Sequence, residues 1–284
     1  MVQNDCIIPA LLFGEGLEED MKPLILITND DGIYSPGLHA AAEAVADLGE
    51  LLIVAPHCQQ TSMGRAFPRT DDLGIIETTS LMIHGKRTKA YAVHGSPAYA
   101  VAHAVLELAE RKPDLCISGI NYGENLGTIV TCSGTLGAAF EANSHGIPAI
   151  ASSLQMPLHL QRKTDYSPAD WSAAAEMTRR AAESVLSNGM PNGATLLNIN
   201  VPDQLQDVQN YHITRQSHQN YFCFIRPEQR DFSKRFELES RLYVDTDTLE
   251  PDSDIYAVYV EKVISITPMT WNMTADSNCL KKRA

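Results

Sequence analysis

Short, continuous apolar runs recur along the first half of the chain: Leu24-Ile25-Leu26-Ile27, Leu51-Leu52-Ile53-Val54-Ala55, Leu115-Cys116-Ile117 and Pro148-Ala149-Ile150-Ala151. Runs of this length, rich in β-branched residues, read as strands buried on both faces. The stretches between them carry apolar residues at helical spacing instead. Leu38, Ala41, Ala42, Val45 and Leu48 mark one face of a helix from Pro36 to about Leu48. Ser35 stands where it can cap that helix, and Gly49 stops it. Ser96-Pro97 opens a second helix, with Val101, Val105, Leu108 and Ala109 on its apolar side. A third runs from Leu136 to Ser144, capped by Ser133 and ended by Gly146. Strand–helix–strand units this short predict a mostly parallel sheet.

Elsewhere the pattern differs. Residues 73–93 alternate and carry Thr, Ile and Tyr, which predicts short β segments in an excursion. Residues 155–168 read as a polar connection, Ser167-Pro168 as the start of a helix reaching about Leu186, and Asn198-Ile199-Asn200-Val201-Pro202 as the end of a core strand. Strand-like runs follow at Tyr211–Arg215, Tyr221–Ile225, Tyr256–Val260 and Val263–Thr267. They predict an extended C-terminal arm or β-hairpin, about 205–284, of the kind that exchanges between subunits. Arg215, Arg226, Arg230 and Arg241 in this arm read as solvated charges rather than phosphate ligands.

Composition narrows the class. With 284 residues and 44% hydrophobic content the chain can bury a sizeable core. A net charge of -13 argues against a general surface for nucleic-acid duplexes or anionic membranes, although a small phosphorylated substrate needs only a local site. No apolar stretch approaches the ~20 residues of a membrane span. The six Cys are scattered, without a Cys-x-x-Cys pair, and read as reduced thiols of a cytoplasmic protein. Residues 1–20 lack the features of a signal peptide and read as an acidic, mobile leader, with a single α/β domain beginning at Met21.

The chemistry collects where strands hand over to helices. Asn29-Asp30-Asp31-Gly32 follows the first strand. Adjacent carboxylates repel, and they become reasonable at a buried site if they share a divalent cation; a solvated acidic turn is the plain alternative. His57–Arg65 follows the second strand and offers hydroxyls that can complete an oxygen shell, as well as being an ordinary surface loop. After the strand at 114–118 comes Gly119-Ile120-Asn121-Tyr122-Gly123-Glu124-Asn125-Leu126-Gly127, whose glycines imply special backbone angles or a close ligand. Ser133-Gly134-Thr135 then opens a helix and is both a good cap and a ready anion site. In a parallel sheet these junctions share one edge, so acid and anion sites together predict metal plus phosphate.

These motifs, with Val54-Ala55-Pro56, Gly95-Ser96-Pro97, Asp254–Val258 and Ser265-Ile266-Thr267-Pro268, resemble the survival protein SurE family. The resemblance is dense from 22 to 154 and weakest at 215–253. It implies a Rossmann-like three-layer α/β sandwich, hydrolysis of 5′- and also 3′-nucleoside monophosphates, and homodimers or homotetramers made through the C-terminal arm. It carries the metal ligands onto Asp30, Asp31, Thr61 and Asn121. The family commonly has Ser where Thr61 stands, and Ser62 follows it; many members have Pro where Glu124 stands. An all-oxygen ligand set favours one Mg²⁺ or Mn²⁺ per subunit. Asn29, Asn125, Ser133, Gly134 and Thr135 are then expected to hold phosphate oxygens, with Asp30 or Asp31 orienting or deprotonating a water. The competing expectations are a non-catalytic nucleotide sensor and a receiver-like signalling domain. The latter would need a Lys and a later phosphoacceptor Asp that the sequence does not clearly offer.

Overall fold

Alternate side chains of the first strand point into two different cores. In β1 (Leu24–Thr28), Ile25 and Ile27 join one buried cluster and Leu26 another, so the strand is covered on both faces. The computed structural model describes residues 21–161 and 165–274; the leader expected at 1–20 and the last ten residues of the arm lie outside the described residues.

The elements continue as α1 (Pro36–Val45), β2 (Glu50–Pro56), β3 (Ile76–Ile83), β4 (Lys86–Val93) and α2 (Pro97–His103), which runs on as a π-helical turn over Ala104–Leu108. β5 (Leu115–Tyr122), a short 3₁₀ turn (Gly127–Thr131), α3 (Gly134–Ser144), β6 (Ala149–Leu154), α4 (Ser172–Asn188) and β7 (Leu196–Val201) follow. The arm holds β8 (Tyr211–Ile213), β9 (Phe222–Phe224), β10 (Ser240–Leu242), a π-helical turn (Tyr256–Glu261) and β11 (Ile264–Met269). Nine strands form one mixed sheet in the order β3-β4-β2-β1-β5-β6-β7-β11-β8, parallel from β4 to β7. α1 and α4 bury Leu38, Ala41, Met177 and Ala181 against one face; α2 and α3 bury Val101, Leu136 and Ala139 against the other. This is the expected three-layer α/β sandwich with a mostly parallel sheet.

β1 lies between β2 and β5. The chain first winds to one side of β1 and then crosses to the other, which opens a crevice beyond its carboxyl end.

Four expectations need correction. Residues 76–93 are no excursion: β3 and β4 form an antiparallel hairpin, and β4 pairs in parallel with β2 and extends the main sheet. Its turn, His84-Gly85, takes positive φ at both positions, as a tight hairpin turn requires. The helix expected from Ser167-Pro168 begins at Ser172, where the Asp170 carboxylate accepts the Ser172 amide at 3.0 Å. Tyr256–Val260 is helical, not a strand: Ser253 and Asp254 accept amides at its start, and Ile255 and Val258 pack against Leu126, Tyr221 and Leu249. A continuous apolar run carries no period to tell strand from buried helix. Ser35 stands before α1 as expected, but its hydroxyl caps nothing.

Cys116 is buried in β5, and burial pushes its thiol up to about 12, so it serves as a small hydrophobe. Among the described residues no helix is long and apolar enough to cross a membrane.

Candidate active site

The turn after β1 is fixed by its own first residue. The Asn29 carboxamide accepts the Gly32 amide at 3.1 Å and donates to the Gly32 carbonyl at 3.2 Å. Gly32 has φ +102, and a Cβ there would meet the Cys58 backbone at 3.2 Å. This closed turn presents Asp30 and Asp31 beyond the strand end, both almost wholly buried (3% and 1% exposed).

The two carboxylates have different surroundings. Asp30 accepts the Thr135 hydroxyl at 2.7 Å and faces the cavity. Asp31 accepts the Tyr122 amide at 2.9 Å and, more weakly, the Gln59 carboxamide at 3.4 Å. Among the described residues neither pairs with a Lys, Arg or His. Burial raises both pKa values; for Asp30, pushed up to about 8, the neighbouring Asp31 charge adds to it. Two desolvated carboxylates without a basic partner among the described residues, beside hydroxyl and carboxamide oxygens, are a donor set that fits a hard divalent cation.

The second junction reaches back to the first. The Gln60 amide donates to the Asp30 carbonyl at 2.6 Å, which brings Thr61 and Ser62 to the cavity wall. Both hydroxyl residues line it, so either can face a cation. The Gly64 amide donates to the Cys132 carbonyl at 3.0 Å and ties this loop to the third junction. There, Asn121 lines the cavity with its Nδ2 held by the Gly123 carbonyl at 2.7 Å. Ser133 caps α3, accepting the Leu136 amide at 3.2 Å. A Cβ on Gly134 would lie 2.7 Å from the Asp30 Cβ and Oδ2, so the start of α3 packs directly on the acid.

A cavity of about 550 Å³ opens over these groups, a volume suited to a small-molecule ligand. Of the residues expected from sequence, Asp30, Thr61, Asn121, Asn125 and Ser133 line it. Asp31, Gly134 and Thr135 stand behind that wall, and Asn29 is spent on closing its turn. None of Arg215, Arg226, Arg230 and Arg241 lines it; Arg215 pairs with Asp252 at 2.7 Å, and Arg230 lies over Phe232 and Phe236.

Sequence reasoning missed two sets of residues. Asn198 and Asn200 on β7 both donate to the Asn125 carbonyl, at 2.9 and 3.2 Å, while Asn200 Oδ1 accepts the Asn125 amide at 2.7 Å and Ser153 accepts from its Nδ2 at 3.0 Å. The alternation Asn198-Ile199-Asn200 was the available signal: two carboxamides on one face of a core strand need a buried polar partner. The far wall comes from Ile129, Leu158, Tyr221, Phe222 and Phe224, which no motif marked. Glu124 also lies on the wall; its carboxylate accepts the Met156 amide at 3.2 Å, and burial raises its pKa to about 7.

Fold and cavity together define an α/β protein with an acidic ligand site at the switch point of a parallel sheet. The chain belongs to the SurE family: the model of "Survival protein SurE" matches residues 25–222. It is 40% identical over 256 residues to "5′-nucleotidase SurE" of Thermococcus gammatolerans, covering 88% of this chain and 91% of the relative. It is 37% identical over 264 residues to the protein of the same name from Methanosarcina barkeri, covering 90% and 94%. Among solved structures, the crystal structure of the SurE protein from Aquifex aeolicus superposes with a TM-score of 0.70 at 27% identity, covering 92% of this chain and 98% of that one.

Proposed function

We propose that the chain, a 5′-nucleotidase of the SurE family, hydrolyses nucleoside monophosphates to nucleoside and phosphate in the Asp30 cavity, acting on 3′- as well as 5′-esters. The observation that carries this assignment is the pair of buried carboxylates, unmatched by any base among the described residues, with Asp30 on the wall of that cavity and Asp31 directly behind it. Nucleotidases of this family are metal-dependent. Asp30, Asp31, Asn121 and the Thr61 or Ser62 hydroxyl would hold one Mg²⁺ or Mn²⁺ per subunit. Such a cation, when bound, makes a neighbouring water more acidic and offsets the charge that builds on the phosphoryl oxygens.

The chain's own groups divide the remaining work. Asp30 faces the cavity with the Thr135 hydroxyl on one oxygen, which places it to orient the attacking water or take its proton. Asp31, pinned by the Tyr122 amide, holds its place. The start of α3 at Ser133, Gly134 and Thr135 directs amides and the positive end of the helix dipole at phosphate oxygens, with Asn125 beside them. Asn29 acts through the turn it closes. Phe222, Phe224, Ile129 and Leu158 give an apolar surface for the nucleobase. A receiver-like reading fits less well, because no Lys among the described residues lines the cavity.

The arm supports a homodimer or homotetramer built by arm exchange. Phe224 and Phe232 are 67% and 85% exposed in the single chain, and Phe236, Leu238 and Tyr243 are exposed beside them in sequence. Exposed aromatic and apolar side chains concentrated in one segment suit an interface with a second copy.

Phosphate release from a panel of 5′- and 3′-nucleoside monophosphates, with Mn²⁺, with Mg²⁺ and with chelator, tests the assignment. Metal-dependent release that Asp31→Asn abolishes is the expected result. Release at wild-type rate by Asp31→Asn, or none from any nucleotide by the folded protein with metal, would replace this reading with a nucleotide sensor.

A further inference from the structure

A second cluster of ligand-type side chains sits on the same sheet edge, across the ends of β2, β4 and β3, beginning one strand from the acidic pair. β2 and β4 are paired so that Pro56 stands opposite Val93. The next residue on each strand is a histidine, and the rings of His57 and His94 stack with centroids 4.3 Å apart. On the other side of β4, Glu77 of β3 pairs with Ala92 and reaches both rings. Its Oε1 lies 2.8 Å from His94 Nε2 and 3.5 Å from His57 Nδ1. One ligand atom from each of His57, Glu77 and His94 lies within 4.8 Å of the others.

We propose that His57, His94 and Glu77 form a binding site for a borderline divalent cation of the Zn²⁺ type, separate from the oxygen site at Asp30 and Asp31. Three observations carry it. Two imidazoles and one carboxylate are the ligand types such cations prefer, with a fourth position left to water. Asp72 accepts or shares a proton at His94 Nδ1, 2.8 Å away, which directs Nε2 at the cluster in the carboxylate–histidine–metal arrangement. The ligands sit at strand ends in fixed register rather than on a wandering loop, and His57 and Glu77 remain open to solvent, which gives the ion an entry path. Without an ion the same contacts form an exposed ion-pair cluster that contributes little to stability.

The site also has a route to the catalytic loop. His57 begins the segment in which Gln59 reaches Asp31, the Gln60 amide holds the Asp30 carbonyl, and Thr61 lines the cavity. A cation on His57 anchors the outer end of that segment.

The test is Zn²⁺ titration of the full chain by calorimetry in a large excess of Mg²⁺, which keeps the oxygen site occupied. Roughly one Zn²⁺ per chain is expected, lost in His94→Gln and in His57→Gln and retained in Asp30→Asn. Asp72→Asn should weaken it roughly tenfold to a hundredfold through the orientation of His94. His94→Gln should release phosphate with Mg²⁺ at the wild-type rate, since His94 touches nothing in the cavity. No Zn²⁺ uptake by the wild-type chain would overturn the proposal. So would uptake unchanged in both folded histidine variants, or uptake that Asp30→Asn abolishes.

Discussion

Asp30 and Asp31 are neighbours in sequence that the fold treats differently. Asp31 spends its oxygens on Tyr122 and Gln59, whereas Asp30 keeps its exposure to the cavity and has Thr135 on one oxygen. Both are carboxylates held away from water side by side, so ionising them in the fold costs stability when no cation is bound. Asp30→Asn keeps an acceptor for the Thr135 hydroxyl and removes one of the two charges. It should therefore raise the melting temperature measured in chelator while lowering phosphate release by roughly a hundredfold or more, a loss of a few kcal/mol of transition-state stabilisation. A lower melting temperature in chelator would mean that the charge is compensated by something other than a cation. Gly134→Ala probes the same acid from behind. Its Cβ would press on Asp30 at 2.7 Å, the three nearest atoms all belonging to that side chain. Turnover should fall well below wild type with the far-ultraviolet circular dichroism unchanged.

At the scale of elements, the site is three strand-to-helix junctions braced by one further strand. β7 carries no reacting group, yet Asn198 and Asn200 hold both backbone polar groups of Asn125 in a buried place. Asn200→Ala would leave the Asn125 amide without its acceptor. The expected cost is about 1–3 kcal/mol in denaturant titration, together with a raised KM as Asn125 loses its position. This brace was hard to read from sequence because it depends on which strands lie side by side. β7 meets β5 only through β6, an order that local patterning does not encode. The parallel core strands, in contrast, were legible, since burial on both faces demands continuous apolar runs such as Leu24–Ile27. So were the three junctions, because ligand groups in open α/β sheets follow strand ends. Tyr256–Val260 and Ser167-Pro168 misled for local reasons: one run has no period, and the other is a good cap that the chain does not use. Phe222 and Phe224 join the cavity only through the return of the arm, which no spacing announces.

For the whole molecule, a chain of net charge -13 concentrates two of its carboxylates at a buried point, and this makes folding, pH and cation binding one linked equilibrium. In the folded chain the Asp30 pKa is pushed up to about 8, above its ordinary 3.8, with burial as the larger cause and Asp31 as the second; Asp31 is raised as well. The folded state therefore binds protons more readily than the unfolded chain between about 4 and 8. At this site the penalty on folding is fully present above the folded pKa and is relieved as pH falls through that window. A divalent cation works in the opposite direction, because it needs both carboxylates deprotonated and competes with those protons. Its stabilisation should thus be large near pH 8, where it removes an existing penalty, and should shrink as the medium is acidified. Melting temperatures with saturating Mn²⁺ and with chelator, taken at about pH 8 and about pH 5, measure the two differences directly. The increment from Mn²⁺ should be several-fold larger at the higher pH, and Asp30→Asn should flatten the dependence. An increment that is equal at both pH values, or larger in acid, would mean that the cation is not held by these carboxylates, and the assignment of Asp30 and Asp31 as its ligands would fall with it.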